Sequence, residues 1–144
     1  MRIDILSIFP EMFQGPLSES ILRRAREKGL LEVVITDIRC YSHLKHRSVD
    51  DYPYGGGPGM VMRPEPIFAA VEDILQRFGR PDTRVLLLSP QGTLFNQARA
   101  EELAGSSHLV LVCGHYEGVD DRVRRYLVTE EASIGDYVLT GGEL

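Results

Sequence analysis

Three glycine-bearing tracts hold the residue types best able to do chemistry in this 144-residue chain. They are Ser89-Pro90-Gln91-Gly92, Gly114-His115-Tyr116-Glu117-Gly118 and the stretch Ser133-Ile134-Gly135-Asp136-Tyr137-Val138-Leu139-Thr140-Gly141-Gly142-Glu143. Glycine exposes main chain, so N–H and C=O groups rather than long side chains face whatever lies against these tracts. Main-chain donors beside small apolar walls suit a small ligand. Each tract alone also reads as a plain turn between elements. Three together point to a site.

Other chemistries fit less well. Ser89, His115 and Asp120 are triad types, but Ser89 lacks the G-x-S-x-G elbow that exposes a nucleophile. Cys113 could pair with His115, yet it ends an apolar run where a thiolate is disfavoured. Cys40 and Cys113 have neither CxxC spacing nor flanking histidines, so they read as reduced thiols and no metal site is expected. No G-x-G-x-x-G and no G-x-x-x-x-G-K-[ST] is present. The tract Tyr54-Gly55-Gly56-Gly57-Pro58-Gly59-Met60 lacks the lysine of a phosphate loop, and Pro58 removes a donor. It reads as a close-approach surface or a mobile lid.

The elements that must position these residues follow from periodicity. Arg2 to Phe9 reads as a strand, and Pro16 to Lys28 as a helix with Leu17, Ile21 and Ala25 on one face and Gly29 at its end. Leu31 to Ile38 is a second strand. Glu65 to Phe78 is an amphipathic helix with Ile67, Val71, Ile74 and Phe78 inward, stopped by Gly79. Val85 to Leu88 and Leu109 to Val112 are continuous apolar runs, the mark of strands covered on both faces, and Asn96 to Ala104 between them is a short helix. The expected fold is α/β, a mostly parallel sheet with helices on both faces, in one domain. Ligands of such sheets bind beyond the carboxyl ends of strands, where the three tracts lie.

A net charge of −5 argues against a nonspecific nucleic-acid binder, DNA included. Two basic clusters stand out: Arg23, Arg24, Arg26 and Lys28 suit a helix carboxyl end, while His43, Lys45, His46 and Arg47 lie in an aperiodic stretch open to a functional reading. No apolar run is long enough to span a membrane and Asp4 interrupts any signal peptide, so a cytoplasmic location is the default expectation.

The tracts Leu88 to Gly92, Val112 to Asp120 and Ser133 to Glu143, with Ile8-Phe9-Pro10-Glu11-Met12-Phe13 and Val49 to Met60, resemble the bacterial tRNA (guanine-N1)-methyltransferase family of the SPOUT class. The resemblance covers the whole chain in the same motif order. It implies a carboxyl-terminal trefoil knot, a homodimer with its active site at the subunit interface, and S-adenosyl-L-methionine as methyl donor. It further implies donor contacts from Leu88, Pro90, Gly114, Tyr116, Ile134, Gly135, Asp136, Tyr137, Val138, Leu139, Gly141 and Gly142. Glu117 would act at the catalytic centre, with Asp50, Gly57 and Gly59 against the substrate, which is N1 of guanine at position 37 of tRNA. The family's general base, a linker and a helical tRNA-binding domain would follow Leu144, so residues 1–144 are expected to be an incomplete S-adenosylmethionine-binding domain with little activity alone. The competing expectations are a noncatalytic nucleotide- or RNA-binding module, using the glycine tract and the His43 to Arg47 cluster, and another SPOUT RNA methyltransferase.

Overall fold

The structure is a computed structural model that describes residues 1–144. β1 (Arg2–Ser7) leads through a helical turn at Pro10–Phe13 to α1 (Gln14–Leu17) and α2 (Ser20–Glu27). β2 (Glu32–Asp37), turns at Ile38–Tyr41 and Lys45–Arg47, and the short β3 (Asp50–Asp51) and β4 (Val61–Met62) precede α3 (Pro64–Phe78). β5 (Arg84–Leu94), α4 (Gln97–Ala104), β6 (His108–Cys113), α5 (Asp121–Tyr126) and β7 (Glu130–Ser133) complete the order. Five strands make one parallel sheet, β2-β1-β6-β5-β7, and β3 pairs antiparallel with β4. This is the α/β architecture expected from the sequence. No helix is long and apolar enough to cross a membrane.

Alternation along the strands divides the core between two faces. Leu6, Val85, Leu87, Val110 and Val112 pack against Ile67, Val71 and Ile74 of α3 and Val123 of α5. Leu86, Leu109 and Ala132 face Leu103 of α4 on the other side. Both faces are therefore covered, which is why these strands read as unbroken apolar runs. Each fully buried aliphatic side chain contributes about 1.5–3 kcal/mol, so α3 alone anchors its face firmly. Pro64 opens α3 where no amide partner exists, and Gly79 closes it at φ −57, so Gly79 is needed for space: a Cβ there would overlap the Leu75 carbonyl.

Several sequence expectations are corrected. The helix over Pro16 to Lys28 is broken, because the Ser18 hydroxyl bonds back to the carbonyls of Gln14 and Gly15 and Glu19 is extended. α2 buries no residue, and Ile21 on its apolar face is 69% exposed. Phe78 is not inward: it lies exposed beneath the Arg2 guanidinium, 3.6 Å from ring centre to Cζ. β1 stops at Ser7 because Phe9 N–H turns back onto the Ser7 hydroxyl at 2.8 Å. Ser89 to Gly92 is no turn between elements but a bulge inside β5, since Leu88 and Thr93 both pair with Ala132 of β7. α5 and β7 went unread. Both are short, and β7 begins with Glu130-Glu131, whose apolar alternation is hidden by acids; Glu130 is held by Arg84 and Arg99.

Candidate functional site

The site forms at the carboxyl ends of β5, β6 and β7. After β6, Gly114 to Gly118 makes a closed turn in which Gly118 N–H donates to the His115 carbonyl at 3.1 Å. Tyr116 (φ +59) and Gly118 (φ +126) take left-handed backbone conformations, the second being a position only glycine fills freely. Asp120 then caps α5 by accepting from Arg122 N–H, which fixes the far end of the loop. The glycine tract is laced onto this loop: Glu117 N–H donates to Met60 O at 3.0 Å, Met62 N–H to Gly118 O at 2.9 Å, and Asp120 N–H to Met62 O at 2.9 Å. Gly59 (φ +88) consequently lies against Glu117, and any Cβ there would overlap its Cγ.

The terminal segment does not extend the sheet. It leaves β7, where the Ser133 hydroxyl donates to Gly135 O at 2.8 Å, and Tyr137 folds its ring onto Gly135. It then crosses to β6, where Gly142 N–H donates to Gly114 O at 2.9 Å and Gly141 bridges His115. A Cβ on Gly142 would lie 2.9 Å from Cys113 Cα and 3.1 Å from Leu88 Cβ. Only a glycine lets the backbone approach this closely.

These loops line part of a cavity of about 860 Å³ that continues along the sheet to Met1, Ile3, Phe13 and Leu103. Leu88, Pro90, Gly114, Tyr116 and Glu117 line one side, and Ile134, Gly135, Tyr137, Val138, Leu139, Gly141 and Gly142 the other. Asp136 is exposed and does not line it. Of the residues expected against a substrate, Gly59 touches Glu117, Asp50 is half-buried and accepts from the Ser48 hydroxyl at 2.7 Å, and Gly57 (φ +118) stands free at the loop tip. The Lys45–Arg47 turn is exposed, with His46 and Arg47 both at positive φ.

Alternative chemistries find no geometry here. Asp120 is engaged by Arg122 rather than His115, which holds its carboxyl below the usual range, while Ser89 accepts from Gln91 N–H. His115 Nδ1 has no hydrogen-bond partner. Burial, with the Glu143 carboxylate nearby, pushes the Cys113 thiol up to about 12, so it stays protonated and unreactive. No cluster of three metal-ligating side chains forms. Sequence reasoning missed Ser7 and Phe9, which reach the site from the end of β1. Phe9 stacks edge-on against His115 at 4.9 Å. The available signal was position, since β1 ends where sheet ligands bind.

The family model for tRNA (guanine-1)-methyltransferase TrmD matches residues 1–144. The chain is 65% identical over its whole length to the tRNA (guanine-N(1)-)-methyltransferase of Moorella thermoacetica, covering 58% of that protein. The Geobacillus kaustophilus enzyme of the same name is 60% identical, with 58% covered. The crystal structure of tRNA (m1G37) methyltransferase from Aquifex aeolicus superposes with a TM-score of 0.89 at 40% identity, over 99% of this chain and 63% of that one. The chain thus spans less than two thirds of the relatives it matches, and with a match along its full length it belongs to the TrmD family of tRNA (guanine-1)-methyltransferases.

Proposed function

We propose that these residues form the methyl-donor half of an enzyme that methylates N1 of guanine at position 37 of tRNA, next to the anticodon. The observation that carries the reading is the convergence of Gly114 with Ile134, Gly135, Tyr137, Val138 and Leu139 on one cavity that Glu117 also lines. S-adenosyl-L-methionine supplies an electrophilic methyl group there. Gly114, Gly135, Gly141 and Gly142 hold it through backbone, and Leu88, Pro90, Tyr116, Ile134, Tyr137, Val138 and Leu139 supply the walls. In the transfer the sulfur–methyl bond breaks, the N1–methyl bond forms and the N1 proton leaves. Guanine N1 is a weak nucleophile until that proton is lost, so orientation and removal of the proton are what the protein must provide.

In this reading Glu117 accepts a hydrogen bond from the guanine edge and so fixes N1 in line. Asp50, Gly57 and Gly59 then present the glycine tract to the base. The crossing of the terminal segment from β7 to β6 supports a trefoil knot. Val138, Leu144 and Ile134, which are 82%, 68% and 55% exposed around the cavity, support a homodimer that closes the active site. A bacterial tRNA enzyme of this kind works in the cytoplasm.

The test uses the full-length protein containing these residues, with tRNA and S-adenosylmethionine, followed by nucleoside mass analysis and mapping. N1-methylguanosine at position 37 is expected. Methylation of ribosomal RNA or of a ribose instead would replace this reading by that of another SPOUT enzyme. Equal binding of S-adenosylmethionine and adenosine triphosphate by calorimetry, with no methylation, would leave only a nucleotide-binding module.

A further inference from the structure

Glu143 is an unusual residue for its surroundings. Its side chain is 2% exposed, at the point where the terminal segment meets the ends of β1 and β6. A buried carboxylate is costly unless partners surround it. Oε1 accepts the Ser7 hydroxyl at 2.5 Å, and fully buried Ser7 is itself fixed by Phe9 N–H at 2.8 Å. Oε2 faces His115 Nδ1 at 4.0 Å, too far for a hydrogen bond. That ring nitrogen is buried and has no other partner. Gly141 makes the arrangement possible, since a Cβ there would overlap both the Glu143 carboxylate and the His115 ring.

One residue before Glu143, Gly142 makes the backbone bond to Gly114 that shapes the cavity wall. We propose that Glu143 is a positioning residue for the methyl-donor site: latched to Ser7 and facing His115, its carboxylate fixes Gly141-Gly142 over Gly114 before the ligand arrives. The inference rests on the proposed function for the identity of the ligand. Its physical content is preorganisation. Val138 and Leu139 of the terminal segment are exposed, so its anchorage lies at Gly141 to Glu143, and a wall that is already in place spares the ligand the ordering cost.

The experiment compares Glu143→Gln and Ser7→Ala with the parent, in the full-length protein, by hydrogen exchange without ligand and by calorimetry with S-adenosylmethionine. Glu143→Gln keeps size and an acceptor but loses the charge facing His115; Ser7→Ala removes the donor. The expected result is a loss of protection at the Gly142 amide of about tenfold, equivalent to about 1.4 kcal/mol, with Ile74 in α3 unchanged. The donor Kd rises by a similar factor, and the double variant is no worse than the weaker single one, because both break the same latch. Protection and Kd equal to the parent in both variants would overturn the latch while leaving the proposed function standing. A uniform fall in protection across the sheet would overturn it too, by showing a role in global stability only. A parent that does not bind S-adenosylmethionine overturns the proposed function and, with it, the assignment of this latch to a methyl-donor site.

Discussion

Replacing Gly142 by alanine adds one methyl group where the cavity wall lies against the backbone of β6. Its backbone lies outside the left-handed region, so alanine meets no dihedral strain and space alone decides the outcome. The new Cβ would stand 2.9 Å from Cys113 Cα, 3.1 Å from Leu88 Cβ and 3.2 Å from Cys113 Cβ. Cys113 and Leu88 are paired neighbours in the sheet, so the terminal segment must move instead, by roughly an ångström given carbon contact distances near 3.5–4.0 Å. That displacement takes the Gly142–Gly114 bond from 2.9 Å to beyond hydrogen-bonding range. Overpacking costs about 1–3 kcal/mol; taking about 2 kcal/mol, S-adenosylmethionine should bind roughly 30-fold more weakly by calorimetry. The melting temperature should move much less than the roughly 6 °C that a global loss of that size would give, because the strain sits in a terminal segment outside the main core. Gly15→Ala, where nothing lies within 4 Å, is the control and should bind as the parent does. A Gly142→Ala protein whose Kd stays within about threefold of the parent would refute the claim that this wall must be bare backbone.

Thiol chemistry should separate the two cysteines: in the native protein at pH 8, among these 144 residues, only exposed Cys40 should react with iodoacetamide, and Cys113, pushed up to about 12, should react only in urea. Cys113 labelling in the native state would contradict the buried placement. At the opposite end of the sheet Asp4 accepts two bonds from Arg2, at 2.6 and 2.8 Å, and faces His108 at 2.9 Å. Asp4→Ala leaves Arg2 with Glu32 as its one carboxylate partner, so a loss of about 3 kcal/mol is expected in urea unfolding, at the low end of the cost of breaking a buried pair. A loss under about 1 kcal/mol would show the network to be incidental. Asp120 supplies a pH dependence: its bond from Arg122 lowers its folded pKa, so the stabilisation is present above the unfolded value near 4 and is lost as pH falls through the lower folded value. Arg122→Ala should therefore melt below the parent at pH 7 and converge with it in acid, and a constant difference down to pH 2 would argue against the pair.

How much was legible in advance follows from where the physics is local. The apolar runs at Val85 and Leu109 and the stripe of α3 declare themselves because each element buries a face over several turns or a whole strand. The break near Ser18 does not, since one hydroxyl bonding backwards overrides an otherwise helical pattern. The bulge at Ser89 to Gly92 is a property of two strands together: Leu88 and Thr93 share Ala132, and a Cβ on Gly92 would lie 2.5 Å from its nitrogen. No single-strand pattern contains that information. The glycines of the cavity wall stand out in the chain because glycine marks close approach, whereas Ser7 has the pattern of an ordinary strand end.

The same distinction explains the shape of the site. Its loops come from strands adjacent in the sheet but distant in the chain, and each brings a glycine to a contact that another loop completes: Gly59 on Glu117, Gly92 on β7, Gly142 on Cys113. None of those glycines is required by its own loop's length or periodicity. Each is required by the neighbour it touches, so the cavity is specified by pairs of loops, and a methyl group at any one of these positions acts on a wall built by another part of the chain. That mutual dependence also accounts for the burial of Glu143. A wall assembled from separate segments needs a fastening that reaches across them, and a carboxylate held by Ser7 of β1 and facing His115 of the β6 loop spans the terminal segment and two strands at once.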